Sequence, residues 1–139
     1  MSRLSGRGGG APVLRQQAKF STLKEGGYQE SRFLQWFVGF TDAEGNFNIN
    51  PVLTRDGLTI SKVGFMFKIA LHKDDEEVLR YISAKLGVGG VRLYKNECIF
   101  SVTDKKGILL LISIFDKYNL NTSKYLDYLD FKQAFFLLY

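Results

Sequence analysis

Apolar and polar residues follow two different periods along this chain, and the change of period marks where helices and strands are expected. Residues 31–43 are apolar almost all the way round a helix, which predicts a helix buried on several sides, with Ser31 as its N-cap. Residues 46–52 and 58–72 alternate with period two and predict two strands. The tripeptide Arg55-Asp56-Gly57 between them is typical of a hairpin turn, and Pro51 indicates an edge strand or a bulge.

The rest of the chain repeats this order. A helix is predicted over residues 74–86, ended by Gly87, and a second hairpin over 88–94 and 98–103. Residues 107–118 and 125–138 each have helical spacing. This order of elements indicates an α+β fold, with a helix, two strands, a helix, two strands and final helices. It predicts an αββαββα unit with one four-stranded antiparallel sheet.

The two faces of this predicted sheet differ in polarity. One face is apolar, with Phe47 and Ile49 on the first strand, and the helices are expected to cover it. The other face stays open and carries Asn46, Asn48, Asn50, Lys62, Met66, Lys68, Arg92, Tyr94, Ser101 and Thr103. Amides, cations and hydroxyls suit hydrogen bonding to base edges. An ordinary solvated sheet face is the alternative; the lack of acids at these positions favours a nucleic-acid face.

The first helix combines small residues with two acids near its end. Gly39 inside a helix costs about 1 kcal/mol relative to alanine, and a second helix packed closely over Gly39 and Ala43 would offset this cost. The predicted interface consists of Trp36, Gly39, Phe40 and Ala43. An ordinary core helix with one glycine is the alternative. Asp42 and Glu44 come where the helix ends and the polar face begins, a place that suits metal-assisted phosphodiester chemistry.

The segment 37–45 (FVGFTDAEG) resembles the signature of the LAGLIDADG homing endonucleases. Segments 67–72 (FKIALH) and 120–135 (LNTSKYLDYLDFKQAF) resemble the same family in the expected order. The resemblance implies a saddle-like sheet and a motif helix that forms the interface between two motif-bearing halves. It also implies that Glu44, the second acid of the motif, is the catalytic metal ligand. Asp42 and Gly45 are expected at the metal site, where Asp42, the first acid, has a structural or supporting role. Lys124 or Lys68 is expected to assist; the family often has glutamine at position 68, so either lysine remains a candidate.

Two such helices side by side would bring two Glu44 carboxylates together. At about 5 Å and an effective dielectric constant near 20, they would repel by roughly 3 kcal/mol. Mg²⁺ or another divalent cation would remove this repulsion and could activate water for attack on a phosphodiester. The predicted function is a site-specific DNA endonuclease that makes a staggered double-strand cut. The alternatives are an RNA-binding protein of the same fold, such as an intron maturase, and a DNA-binding regulator without cleavage.

One complete motif is present in the chain. Double-stranded DNA, or alternatively RNA, is one expected partner. Because the chain has one motif, the other expected partner is either an identical subunit or a second motif-bearing half. A net charge of +5 is consistent with an anionic partner. No apolar run is long enough to cross a bilayer.

The sequence also bounds the size of the domain and the roles of its cysteine, its histidine and one acidic cluster. A hydrophobic content of 45% is enough for a core, and 139 residues suit one domain. Cys98 is the only cysteine and is expected to be a buried thiol in a reducing compartment. His72 is the only histidine, which excludes a histidine-based metal site within one subunit. The acids at 74–77 are expected to complement a helix dipole rather than to bind metal.

Residues 1–30 are rich in glycine and arginine and differ from the rest of the chain. They are predicted to be a flexible basic extension outside a domain formed by residues 31–139. Their composition is typical of a mitochondrial transit peptide. It also suits an upstream extension or an arm on a phosphate backbone. A mitochondrial location is the expectation.

Overall fold

Helix α1 (Gly26–Glu44) is followed directly by strand β1 (Gly45–Leu53). The computed structural model describes residues 26–139, with side chains from residue 29 onward, so the predicted extension lies outside the described residues except for its last five positions. These five are helical, and the prediction that Ser31 caps the helix is wrong. Ser31 instead lies inside the helix, and its hydroxyl oxygen is 3.1 Å from the Gln35 Nε2 that donates to it.

The remaining elements follow the predicted order. They are β2 (Ile60–His72), a 3₁₀ helix (Lys73–Asp75), α2 (Glu76–Leu86), β3 (Gly90–Tyr94), β4 (Glu97–Val102), α3 (Lys105–Lys117) and α4 (Lys124–Leu138). This order confirms the α+β class. The helix predicted from residue 74 begins instead with the 3₁₀ helix, because the His72 side chain accepts a hydrogen bond from the Asp74 amide and caps that turn.

The four strands form one sheet in the order β1-β2-β4-β3, with antiparallel neighbours throughout. Strand β1 lies at an edge, and its register with β2 shifts between Val52 and Leu53. The prediction of an edge strand with an irregularity near Pro51 is therefore confirmed. Gly57 has a φ of +75°, as the predicted turn between β1 and β2 requires.

Residues 37–139 form one compact unit, and the described residues before them, 26–36, belong to another. The core of the 37–139 unit is a group of aromatic rings between the sheet and the helices. Phe67, at the centre of β2, is fully buried, and its ring lies 5.3–6.4 Å from those of Phe37, Phe47, Phe100 and Phe115. Helices α1 and α3 and three strands thus meet on the face of the sheet that the sequence predicted to be apolar.

Cys98 lies in the core with no exposed surface, which confirms the predicted buried thiol. Its Sγ lies 3.2 Å from the His72 carbonyl oxygen and donates a hydrogen bond to it. Burial raises the pKa of the Cys98 thiol, and the nearby Asp75 and Glu76 carboxylates raise it further. The thiol therefore remains protonated at neutral pH and has a packing role.

Helices α3 and α4 are joined by a hydrogen-bonded group of three side chains. The Asp116 carboxylate accepts from Lys132 Nζ at 2.8 and 2.9 Å. The buried Tyr128 hydroxyl lies 2.7 Å from Asp116 Oδ1 and 3.0 Å from the Ile112 carbonyl oxygen. Burial alone would raise the pKa of Asp116, but the hydrogen bonds from Lys132 and Tyr128 outweigh it and hold the pKa below its usual value.

This lowered pKa predicts a pH-dependent contribution to stability. The contribution is fully present above the unfolded-state pKa of Asp116 and is lost as the pH falls through the lower folded-state pKa. We expect Asp116→Asn to reduce the free energy of unfolding at pH 7 by about 1 kcal/mol or less, because the side chain is 44% exposed and water weakens the pair. Chemical denaturation at several pH values would measure the difference, which should shrink below roughly pH 4. Asp130→Asn, at an exposed position of α4, is the matched control; a pH-independent effect of Asp116→Asn would contradict the prediction.

None of the helices in residues 26–139 is both long and apolar enough to cross a membrane.

Candidate active site and nucleic-acid interface

Glu44 is the last residue of α1, and its side chain is partly exposed. Gly45 begins β1 and is buried. A Cβ atom at position 45 would lie 2.6 Å from Thr41 Cγ2 and 3.0 Å from the Thr41 carbonyl oxygen, so the position needs glycine. This glycine allows the strand to begin immediately after the helix, and Glu44 is thereby held at one end of the sheet. The predicted metal role of Gly45 stays a prediction, since packing alone accounts for a glycine here.

Asp42, the first acid of the motif, binds the loop before α4. Its Oδ1 accepts hydrogen bonds from the Asn121 amide (2.9 Å), the Thr122 amide (3.1 Å) and the Thr122 hydroxyl (2.9 Å). Its Oδ2 lies 3.1 Å from the Asn121 amide nitrogen. These contacts join positions about 80 residues apart in the chain. The predicted metal role of Asp42 gains no support from them, because Oδ1 is already committed to three donors.

The two candidate lysines occupy different elements. Lys124 is the first residue of α4, and its amide donates to the Thr122 hydroxyl oxygen at 3.2 Å. Lys68 lies in the middle of β2, where it pairs with Asn46 on one side and Ser101 on the other. Asn46 is the second residue after Glu44. Lys124 is therefore linked to the end of α1 by hydrogen bonds through Thr122 and Asp42. Lys68 is linked to it by its pairing with Asn46, which follows α1 in the chain.

The register places the predicted nucleic-acid residues on one face of the sheet, because they alternate with the core residues on every strand. The cross-strand partners are Asn46–Lys68–Ser101, Asn48–Met66, Asn50 opposite Gly64, Val52–Lys62, Ala70–Ile99–Arg92 and His72–Glu97–Tyr94. Thr103 is exposed and follows the last residue of β4. The sequence therefore grouped these positions correctly on one face, which is open at Asn46, Lys62, Arg92 and Tyr94. Their contact with nucleic acid stays a prediction.

Two titratable residues of this face, Glu97 and His72, were missed. Glu97 begins β4 and pairs with Tyr94 and His72, so the face carries an acid at one corner. The sequence interpretation started this strand at Cys98, although Glu97 continues the alternation of Ile99 and Ser101. His72 extends the face at the end of β2, and its Nδ1 lies 3.1 Å from the Asp74 amide nitrogen.

The predicted helix interface is only partly exposed in this chain. Gly39 and Ala43 are exposed, and a Cβ atom at Gly39 would meet no atom within 4 Å. Trp36 is partly exposed and belongs to the other unit. Phe40, in contrast, is buried at 8% exposure, three residues after the fully buried Phe37 and thus on the same side of the helix. Phe40 therefore packs within its own chain and offers little surface to a partner.

Within residues 26–139, no three His, Cys, Asp or Glu side chains come together in a way that could hold a metal ion. Mg²⁺ is nevertheless often held by one or two carboxylates completed by water and phosphate oxygens. Glu44 fits such a site if a second carboxylate or a phosphate comes from another molecule.

Comparison with known proteins places this geometry in a family. The sequence profile described as LAGLIDADG endonuclease matches residues 37–135. The probable intron-encoded endonuclease Cox1-I1b of Schizosaccharomyces pombe is 34% identical over 131 residues, which are 91% of this chain and 32% of that protein. The probable intron-encoded endonuclease 2 of Neurospora crassa is 36% identical over 106 residues, 74% of this chain and 22% of that protein. The chain thus spans a third or less of the length of these relatives.

Solved structures of the same family have a similar fold. The crystal structure of the homing endonuclease I-TnaI superposes with a TM-score of 0.66 and 29% identity, covering 72% of this chain and 69% of that one. The LAGLIDADG meganuclease I-CpaMI, bound to uncleaved DNA, superposes with a TM-score of 0.67 and 34% identity, covering 73% of this chain and 35% of that one. With the profile match across most of its length, this chain belongs to the LAGLIDADG endonuclease family.

Proposed function

We propose that this chain is one unit of a site-specific DNA endonuclease that makes a staggered double-strand cut with a divalent metal ion. The observation that carries the proposal is the position of Glu44, a carboxylate at the helix end from which the polar face of the sheet begins. The solved relatives I-CpaMI and I-GzeII, each described as bound to DNA, support DNA as the partner. They favour DNA cleavage over the alternative of an RNA-binding protein.

In this proposal, the residues have separate roles. Glu44 holds the metal ion, for which Mg²⁺ is the proposed species; a relative, I-SmaMI, was crystallised with DNA in the presence of calcium ions. When bound, such an ion activates water and stabilises the leaving oxygen of a phosphodiester. Lys124 or Lys68 places positive charge beside the phosphate that is cut. The open face of the sheet fixes the register of the DNA through hydrogen bonds to base edges.

A complete site requires a second motif-bearing unit. One chain supplies one Glu44, whereas two cuts in a duplex need two sites. The exposed Gly39 and Ala43 allow close approach of a second helix. That helix belongs either to an identical subunit or to a second half of a longer protein. The protein is proposed to act in mitochondria, as the relative named mitochondrial protein RF1 of Saccharomyces cerevisiae suggests.

The experiment that tests the proposal is cleavage of a duplex selected by binding from a random-sequence DNA pool. We expect two nicks on opposite strands with Mg²⁺ and none with EDTA, because the carboxylates cannot activate water alone. A gel-shift assay with EDTA is the control and should still show binding through the polar face. Binding to structured RNA with no cleavage of any selected duplex would contradict the proposal.

Sedimentation or mass photometry with and without the selected duplex would determine how the second unit is supplied. A mass of two chains on the duplex would indicate an identical subunit. A single chain on the duplex that still cuts both strands would contradict the requirement for a second unit.

A further inference from the structure

We infer that Asp42 is a positioning residue that fixes Lys124 beside the end of α1 through Thr122. This inference rests on the proposed function, because Lys124 is there a candidate catalytic group. In this inference, Asp42, the first acid of the motif, holds other residues of the site in place, and Glu44 is the acid that binds the metal ion.

The hydrogen bonds of Thr122 form a relay between the two residues. The Thr122 hydroxyl donates to Asp42 Oδ1 at 2.9 Å and accepts from the Lys124 amide at 3.2 Å. The Thr122 amide donates to the same Asp42 oxygen at 3.1 Å. Thr122 is thus bound to Asp42 by two groups, and its hydroxyl also holds the first residue of α4.

Within residues 26–139, the start of α4 has no other side-chain cap. Ser123 occupies the N-cap position, but its side chain makes no capping hydrogen bond. The Thr122 carbonyl oxygen accepts from the Tyr125 amide at 2.9 Å, so the first turn also depends on where Thr122 lies. Leu120, buried at 4% exposure, anchors the other end of the loop. The side-chain contacts that orient this helix end therefore converge on Asp42, two residues before Glu44.

Rate measurements on the full chain can separate positioning from metal binding. We expect Asp42→Ala to slow single-turnover cleavage of the selected duplex about tenfold to a hundredfold, since small displacements of a reacting group have effects of this size. DNA affinity should change less than about twofold, because Asp42 is not on the polar face. Asp42→Asn keeps an oxygen that can accept the three hydrogen bonds of Oδ1, including both from Thr122, and it should restore most of the rate at an unchanged Mg²⁺ requirement. A large rise in the Mg²⁺ concentration needed by Asp42→Asn would overturn the inference in favour of a metal ligand.

Thr122→Val tests the relay directly because it removes the hydroxyl at nearly constant volume. We expect a rate loss that does not add to that of Asp42→Ala, since both changes break the same connection. Fully additive losses would overturn the inference.

Amide hydrogen exchange provides a readout that does not depend on cleavage. The amides of Asn121, Thr122 and Lys124 should exchange faster in Asp42→Ala and return towards the wild-type rate in Asp42→Asn. Unchanged exchange at all three in Asp42→Ala would overturn the inference even if the protein cuts no DNA. If the wild type fails to cut while exchange responds as expected, the proposed function fails and the positioning contact stands.

Discussion

Replacing Glu44 with glutamine is expected to abolish DNA cleavage while leaving DNA binding intact. The substitution keeps the length and shape of the side chain and removes its negative charge. A metal ion contributes several kcal/mol to transition-state stabilisation, and a loss of about 4 kcal/mol corresponds to roughly a thousandfold in rate. Single-turnover cleavage with Mg²⁺, measured beside a gel-shift titration with EDTA, would test this.

The matched control for this substitution is Glu77→Gln. Glu77 is an exposed acid in the first turn of α2, away from the end of α1 in the sequence, and its replacement changes the net charge by the same amount. Its cleavage rate should stay within about twofold of the wild type, as for surface changes away from special features. A Glu44→Gln protein that cuts at the wild-type rate would remove Glu44 from the active site.

The sequence predicted the structure around the candidate site where one local pattern determined it. The alternation of β1 and β2 placed Asn46 and Lys68 on one face, and the register confirms that they are cross-strand partners. The change from helical to strand spacing at Gly45 placed Glu44 at the helix end, where the structure has it. Both results follow from short-range rules, namely the period of each element and the lack of a Cβ atom at Gly45, where such an atom would meet Thr41.

The sequence could not predict contacts that depend on where distant elements meet. The Asp42 carboxylate binds a loop about 80 residues further along, and no spacing near position 42 indicates this. Phe40 has the residue type of an interface position, yet it is buried within its own chain because it shares a side of α1 with Phe37. Helical periodicity shows that a helix has several apolar sides, but it cannot assign each side to the core or to a partner.

The largest expected effect on stability comes from replacing Phe67 with alanine. Phe67 has no exposed surface, and its ring meets those of Phe37, Phe47, Phe100 and Phe115. Truncating a buried phenylalanine removes apolar contact and leaves a cavity, at a typical cost of about 3–5 kcal/mol. Because domains are stable by only about 5–15 kcal/mol, this loss would lower the melting temperature by roughly 15 °C or unfold the protein.

Leu58→Ala is the control for this core substitution, since Leu58 is 84% exposed in the turn between β1 and β2. Its effect should stay within about 0.5 kcal/mol. Thermal unfolding followed by circular dichroism would compare the two variants. A Phe67→Ala protein that melts with the wild type would mean that the aromatic group around β2 does not hold the sheet against α1 and α3. The rigid support that the proposed DNA cleavage needs for Lys68 and the polar face would then have to come from other contacts, because β2 carries Phe67 on one face and Lys68 on the other.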